Sequence, residues 1–261
     1  MHQWCINLPH CHGRGQGGNR ALPRSRPVTA LPIYVQISEM LIRDIAAGRL
    51  ADGAKLPPER DMAASLNTAV GTLRKSLRIL EEKGLLERVQ GSGNYIRHRP
   101  SVASVYSMLR LELKQGGGMP TAEVLSIDLL PKPEGAPAFG PSSDGWRFRR
   151  LRFLSGVPAA MEEIWLDGSL AETIDAGAVS ESLYLFYRES LGVTILSAED
   201  RASVAPMPDW TDPRFPMRAG EIAGYVERVG RDSQGRAVEF SRNWFDPRTV
   251  NYVSRIGGGK T

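Results

Sequence analysis

The chain has 261 residues and a mass of 28.7 kDa, room for one large domain or two ordinary ones. At 41% hydrophobic and 24% charged it has a globular composition, which excludes global disorder and fibrous repeats. It holds no apolar run near the ~20 residues that a membrane helix needs. The net charge of +4 is uneven: residues 1–30 carry +4, residues 31–100 carry +3 and the remainder −3, so a polyanion would be held by the front of the chain.

Residues 1–30 are rich in Gly, Pro and Arg without hydrophobic period, and read as a disordered tail or as translation from a start codon placed too early. Cys5, His10, Cys11 and His12 are crowded there without the paired spacing zinc prefers, so no metal or other cofactor is expected. Two cysteines cannot staple a chain this long, and the start lacks a basic stretch followed by an apolar core. Both features lead us to expect a cytoplasmic protein with no membrane partner.

From Leu31 the pattern sharpens. Ile33, Ile37, Leu41 and Ile45 line one face of a helix ending near Gly48. Pro57-Pro58-Glu59 suits the first turn of a second helix, reaching to about Asn67. Thr68 is placed to cap a third, running to about Lys83 with Gly84 as its stop. Val70, Leu73, Leu77 and Leu80 form its apolar stripe, with Gly71, Arg74, Lys75 and Arg78 largely opposite. Two short strands around Gly91-Ser92-Gly93 follow as a hairpin. Three helices and a basic hairpin over residues 31–98 have the plan of a winged helix-turn-helix, whose third helix enters the major groove.

Residues 99–118 read as a linker carrying a short helix from Tyr106 to Lys114, and residues 119–256 as a second domain. Strands are expected near 122–130, 146–154, 159–166, 193–205, 222–231 and 236–245, with one helix from Glu181 to Leu191 capped by Ser180. Turns at Ser155-Gly156 and Ser233-Gln234-Gly235 join neighbouring strands as hairpins. The expected fold class is α+β, with an antiparallel sheet in the second domain.

Leu56-Pro57-Pro58-Glu59-Arg60, Thr72-Leu73-Arg74-Lys75, Gly84-Leu85-Leu86 and Gly91-Ser92-Gly93 resemble, in order and spacing, the DNA-binding domain of the GntR family of bacterial transcription regulators. That family usually opens its third helix with Ser or Thr followed by Arg. Here the pair is Ala69-Val70, so one expected base-edge arginine is missing. The later segments Arg150-Leu151-Arg152, Gly156-Val157-Pro158 leading to Glu162, Ser182-Leu183-Tyr184 and Ala237-Val238-Glu239-Phe240-Ser241 resemble the UTRA ligand-sensing domain of the HutC subfamily, whose fold is similar to that of chorismate lyase. The segment Pro131 to Gly145 replaces a helix which that resemblance leads us to expect.

The resemblance implies a homodimeric regulator, usually a repressor, on a double-stranded operator. Arg74 and Arg78 would face bases, Arg60 and Lys75 would clamp phosphates, Gly71 and Thr72 would lie nearby, and the Gly91-Ser92-Gly93 turn would press into a groove. It also implies an effector pocket lined by Arg150, Arg152, Glu162, Ser182, Tyr184, Glu239 and, in place of the family's usual Tyr, Phe245. Period two puts Arg150 with Arg152, and Glu239 with Ser241, Asn243 and Phe245, on single strand faces. Such faces either meet solvent or line a wet pocket. Two guanidiniums in a pocket favour a small anionic effector, a sugar phosphate or a carboxylate.

Two other functions compete with this reading. An enzyme of the lyase fold would need acid–base or nucleophilic groups, yet His2, His10, His12, His98 and both cysteines lie outside the second domain. A ligand-independent DNA-binding protein would have no pocket at all.

Overall fold

The computed structural model describes residues 31–99 and 108–255; the expected tail over 1–30, with its cysteines, lies outside them. The first domain is α1 (Ile33–Ala46), α2 (Glu59–Ser65), α3 (Val70–Glu82) and a hairpin of β1 (Leu86–Val89) and β2 (Gly93–Ile96). Ile37, Leu41 and Ile45 of α1 share one core with Leu73, Leu77 and Leu80 of α3. Leu85, Leu86 and Ile96 of the hairpin close it. Ile33, the first residue of α1, stays 42% exposed. Gly84 takes φ +68° just past α3, a left-handed stop that any larger residue would strain.

The start of α3 corrects one expectation. Thr68 does not cap it: the amides of Asn67 and Thr68 close the end of α2, on Ala64 and Ala63. The cap position therefore falls on Ala69, which has no side-chain acceptor to offer.

The second domain comprises β3 (Leu111–Leu113), β4 (Pro120–Pro131), β5 (Asp144–Leu154), β6 (Val157–Asp167), α4 (Leu183–Ser190), β7 (Ile195–Pro206), β8 (Ile222–Asp232), β9 (Ala237–Phe245) and β10 (Val250–Tyr252). Six of these strands form one antiparallel sheet in the order β4-β5-β6-β9-β8-β7. Helix α4 lies on one face, where Leu183, Phe186 and Tyr187 pack with Phe148, Ile164, Leu166 and Val238. The fold is thus α+β, with the six strands close to their expected places.

Two local expectations fail. Leu111–Leu113 is not helical but a strand paired with β10, because burying Leu111 and Leu113 against Ala159, Ala160 and Val250 outweighs local preference. Tyr106 and Ser107 lie outside the described residues. Helix α4 starts later than expected, with Ser182 at its cap, accepting from the Leu185 amide (3.4 Å). The Ser180 hydroxyl instead donates to the Ser182 carbonyl (2.6 Å). Between β4 and β5 the chain is irregular, as the sequence indicated. It is anchored by Phe139, 2% exposed against Phe240 and Trp165, and by Lys132 on the buried Asp167 carboxylate.

Candidate DNA interface and effector cavity

Helix α3 turns Leu73, Leu77 and Leu80 inward, and its 3.6-residue period leaves Gly71, Arg74, Lys75 and Arg78 exposed, with Thr72 half-buried. Arg60 on α2 and Gly91, Ser92 and Gly93 at the hairpin tip are exposed as well. Gly91 (φ +74°) and Gly93 (φ +129°) make this tip possible, and Ser92 Oγ lies 2.6 Å from Tyr95 Oη. Arg74 Nε donates to Glu59 in the first turn of α2 (2.7 Å), and this bond holds the Glu59 carboxyl below its usual range. Arg88 on β1 reaches Glu81 (2.9 Å) and Glu59 (3.9 Å). One acidic residue thus sits between a helix arginine and a hairpin arginine.

The second domain holds a cavity of about 80 Å³ between α4, the sheet and the segment leading into β3. Arg150 and Arg152 reach it from β5, Glu162 and Ile164 from β6, Ser182 and Tyr184 from the start of α4, and Glu239 from β9. Arg150 faces Glu162 because the β5–β6 ladder pairs them directly. Glu162 accepts from Arg150 (2.6 Å) and from Arg152 (2.9 and 3.3 Å), and Arg150 also donates to the Glu181 carbonyl (3.2 Å). All three side chains are at most 6% exposed.

Burial alone would raise the Glu162 carboxyl, but the two guanidiniums overcome it and hold it down at about 2. Burial likewise lowers the proton affinity of Arg150, against the pull of Glu162. Glu162 is thus shared by two guanidiniums, and the Glu181 and Glu239 carboxyls lie within electrostatic reach of Arg152 and Arg150, respectively.

Across the cavity Glu239 accepts from the Tyr184 hydroxyl (2.9 Å). Burial raises the Glu239 carboxyl, opposed by the Tyr184 bond and by Arg228, and it raises the Tyr184 hydroxyl too. Two guanidiniums therefore line one side of the cavity, while the other offers the Tyr184 hydroxyl and the Glu239 carboxyl, with Arg228 beside them.

Six of the seven sequence-derived effector residues line this cavity, and Phe245 does not. It lies on the expected strand face, but at the end of β9, where its ring fills the space over its ladder partner Gly224. There it packs with Leu111, Leu154 and Val226. Residues that sequence reasoning did not single out also line the cavity: Arg110, Arg228 and Tyr252. Arg228 is held by Asp200 (2.5 and 2.6 Å), which also accepts from Tyr252 (2.7 Å). No turn-counting signal pointed to Arg228: the register at the Ser233–Gly235 turn would pair it with Phe240, and only the irregularity between Gly230 and Arg231 shifts it onto Ser241, on the same face as Glu239. Arg110 and Tyr252 had no signal either, because only the β3–β10 pairing brings them in.

Among the described residues no group of His, Cys, Asp and Glu is placed to hold a metal, and no helix is long and apolar enough to cross a membrane.

Residues 33–96 match the bacterial regulatory proteins of the gntR family, and residues 115–250 match the UTRA domain. The chain is 56% identical over 227 residues to the HTH-type transcriptional regulator SmoD of Agrobacterium fabrum, covering 87% of this chain and 97% of that protein. It is 26% identical over 222 residues to the mannosyl-D-glycerate transport/metabolism system repressor MngR of Escherichia coli (82% and 92% covered). It is also 26% identical over 234 residues to the transcriptional repressor NagR of Bacillus subtilis (87% and 96%). The crystal structure of the possible transcriptional regulator YydK from Bacillus subtilis aligns with a TM-score of 0.49 at 24% identity, over 87% of this chain and 100% of that one. A helix-turn-helix that binds DNA, joined to a domain that senses a small molecule, makes this chain a transcription regulator rather than an enzyme, and it belongs to the HutC subfamily of the GntR family.

Proposed function

We propose that the protein is a repressor that binds a near-palindromic operator as a homodimer, through α3 and the hairpin tip, and releases it when a small anionic metabolite fills the second-domain cavity. The observation that carries the anion is the pair of buried guanidiniums, Arg150 and Arg152, that reach the cavity side by side, the donor geometry that a carboxylate or phosphate takes. The Tyr184 hydroxyl and the Glu239 carboxyl suit the hydroxyls of a sugar. Repressors among the relatives support the direction of control, and one of them is named for mannosyl-D-glycerate, a sugar derivative with a carboxylate.

The ligand must favour a dimer that fits DNA poorly. A coupling of ~1–3 kcal/mol would change operator affinity ~5–150-fold. A thermal-shift screen of sugar phosphates, amino-sugar phosphates, urocanate and other small carboxylates tests the reading. A ligand at a hundred times its Kd stabilises by ~2.7 kcal/mol, enough for a shift of ~5–10 °C. A flat screen removes the support for an anionic effector but leaves the DNA-binding assignment standing.

Two substitutions separate the two sites. Arg74→Ala is expected to weaken operator binding by ~1–3 kcal/mol, roughly five- to 150-fold, with an unchanged melting temperature, because the exposed Arg74–Glu59 pair adds little stability. Fluorescence anisotropy on operator DNA measures the first effect and thermal denaturation the second. Arg152→Ala is expected to keep operator affinity but lose release by effector. A variant that still responds normally would show that the cavity is not the sensor.

A further inference from the structure

Where α1 meets the second domain, guanidiniums outnumber the carboxylates that pair with them. Arg43 is 3% exposed. Its Nε and Nη2 donate to Asp44 (3.2 and 3.1 Å), and Nη2 also reaches the Gly118 carbonyl (3.0 Å). Its remaining nitrogen, Nη1, is buried without a hydrogen-bond partner. Across the seam Arg255 grips Glu112 on β3 with both terminal nitrogens (2.7 and 3.0 Å). Arg49 lies 3.6 Å from Asp44 and 3.9 Å from Glu112. Three guanidiniums thus divide two carboxylates between them.

A polar cavity of about 70 Å³ opens in this seam. Arg43, Arg110 and Arg255 line it with Glu112 as the single carboxylate, although Arg110 also acts on Asp200. It is distinct from the effector cavity, and Leu109 and Arg110 border both. A buried guanidinium with an unused donor is costly. Water in the cavity would satisfy the donor but not the excess charge, whereas an oxyanion would do both.

We propose that this seam cavity is a second anion site, taking one small oxyanion between Arg43 of the DNA-binding domain and Arg255 of the effector domain. Bound there, the anion ties α1 to the second domain by charge-assisted bonds from both sides. Phosphate and carboxylate share the chemistry such a site recognises, and inorganic phosphate is the probe.

The test titrates inorganic phosphate into the whole chain at constant ionic strength, with chloride as the reference anion, and reads binding by calorimetry. The expected result is a phosphate affinity that Arg152→Ala leaves within about twofold. Arg43→Gln and Arg255→Gln each lower it about tenfold or more, as the loss of a charged hydrogen bond requires. Arg255 is 39% exposed, so its variant keeps the test open if Arg43→Gln fails to fold. Phosphate binding that disappears in Arg152→Ala while the seam variants bind normally places the anion in the effector cavity and overturns the proposal. Absence of any phosphate effect beyond chloride in the unaltered protein overturns it too. Arg152 lines only the effector cavity, so a failed effector screen leaves this result readable on its own.

Discussion

Replacing Glu162 by Gln is expected to lower stability by about 3–5 kcal/mol, a fall in melting temperature on the order of 10 °C for a protein of this size. The carboxylate is the acceptor for both Arg150 and Arg152, and all three groups are buried. Glutamine keeps the shape but removes the charge that the two adjacent guanidiniums share, and like charges at that distance repel. The pH dependence follows from the sign of the shift. The folded-state pKa, about 2, lies below the usual carboxylate value, so the Glu162 contribution is fully present above about pH 4.5 and is lost as pH falls towards 2. The gap between wild type and variant should therefore be constant near neutrality and should narrow in acid. Thermal denaturation across pH measures it. A gap that stays constant down to pH 2 would show that the ion pairs are not its source. An anionic effector should also bind the variant, since losing the Glu162 charge makes that side of the cavity more positive.

Leu77→Ala should remove most of the stability of the first domain while sparing the second. Leu77 is fully buried on the inner face of α3, in a core drawn almost wholly from residues 37–96. Truncating such a leucine costs about 2–5 kcal/mol in transfer and cavity terms. A domain of this size has only a few kcal/mol to lose. Operator affinity at 37 °C is expected to fall at least about tenfold, with loss of helical circular dichroism. The thermal response to an effector should persist, because the cavity is built from a separate core. Intact operator binding in this variant would mean that the DNA-binding helix does not depend on that core. The outcome also differs from Arg74→Ala, where affinity falls without unfolding.

Much of the molecule was legible because its signals are local. The stripe Leu73, Leu77, Leu80 identified the inner face of α3, and thereby its exposed basic face, since helical period alone relates the two. Ser155-Gly156, both with positive φ, and Ser233–Gly235 each specified a hairpin, and period two then placed Arg150 beside Arg152 on one side of β5. Failures occurred where a distant segment decides. The run ending in Leu111–Leu113 looks helical by its own spacing, and becomes a strand only because β10 offers a ladder. Ser182 rather than Ser180 caps α4 because packing of that helix on the sheet sets where its first turn begins. Phe245 shares the parity of Glu239 yet fills the gap over Gly224, a contact set by strand register rather than by strand face.

The sequence by itself determined that a basic three-helix unit with a hairpin precedes an antiparallel α+β domain. Caps, turns and hydrophobic periods are written in consecutive residues, and each acts within a few positions of itself. Only the tertiary structure decided that one carboxylate serves two arginines, that Arg228 and Arg110 join them around one cavity, and that Arg43 and Arg255 meet at the seam between domains. Those relations join residues tens to hundreds of positions apart. Charge sharing depends on distance and burial, which exist only once the sheet, α4 and α1 have packed.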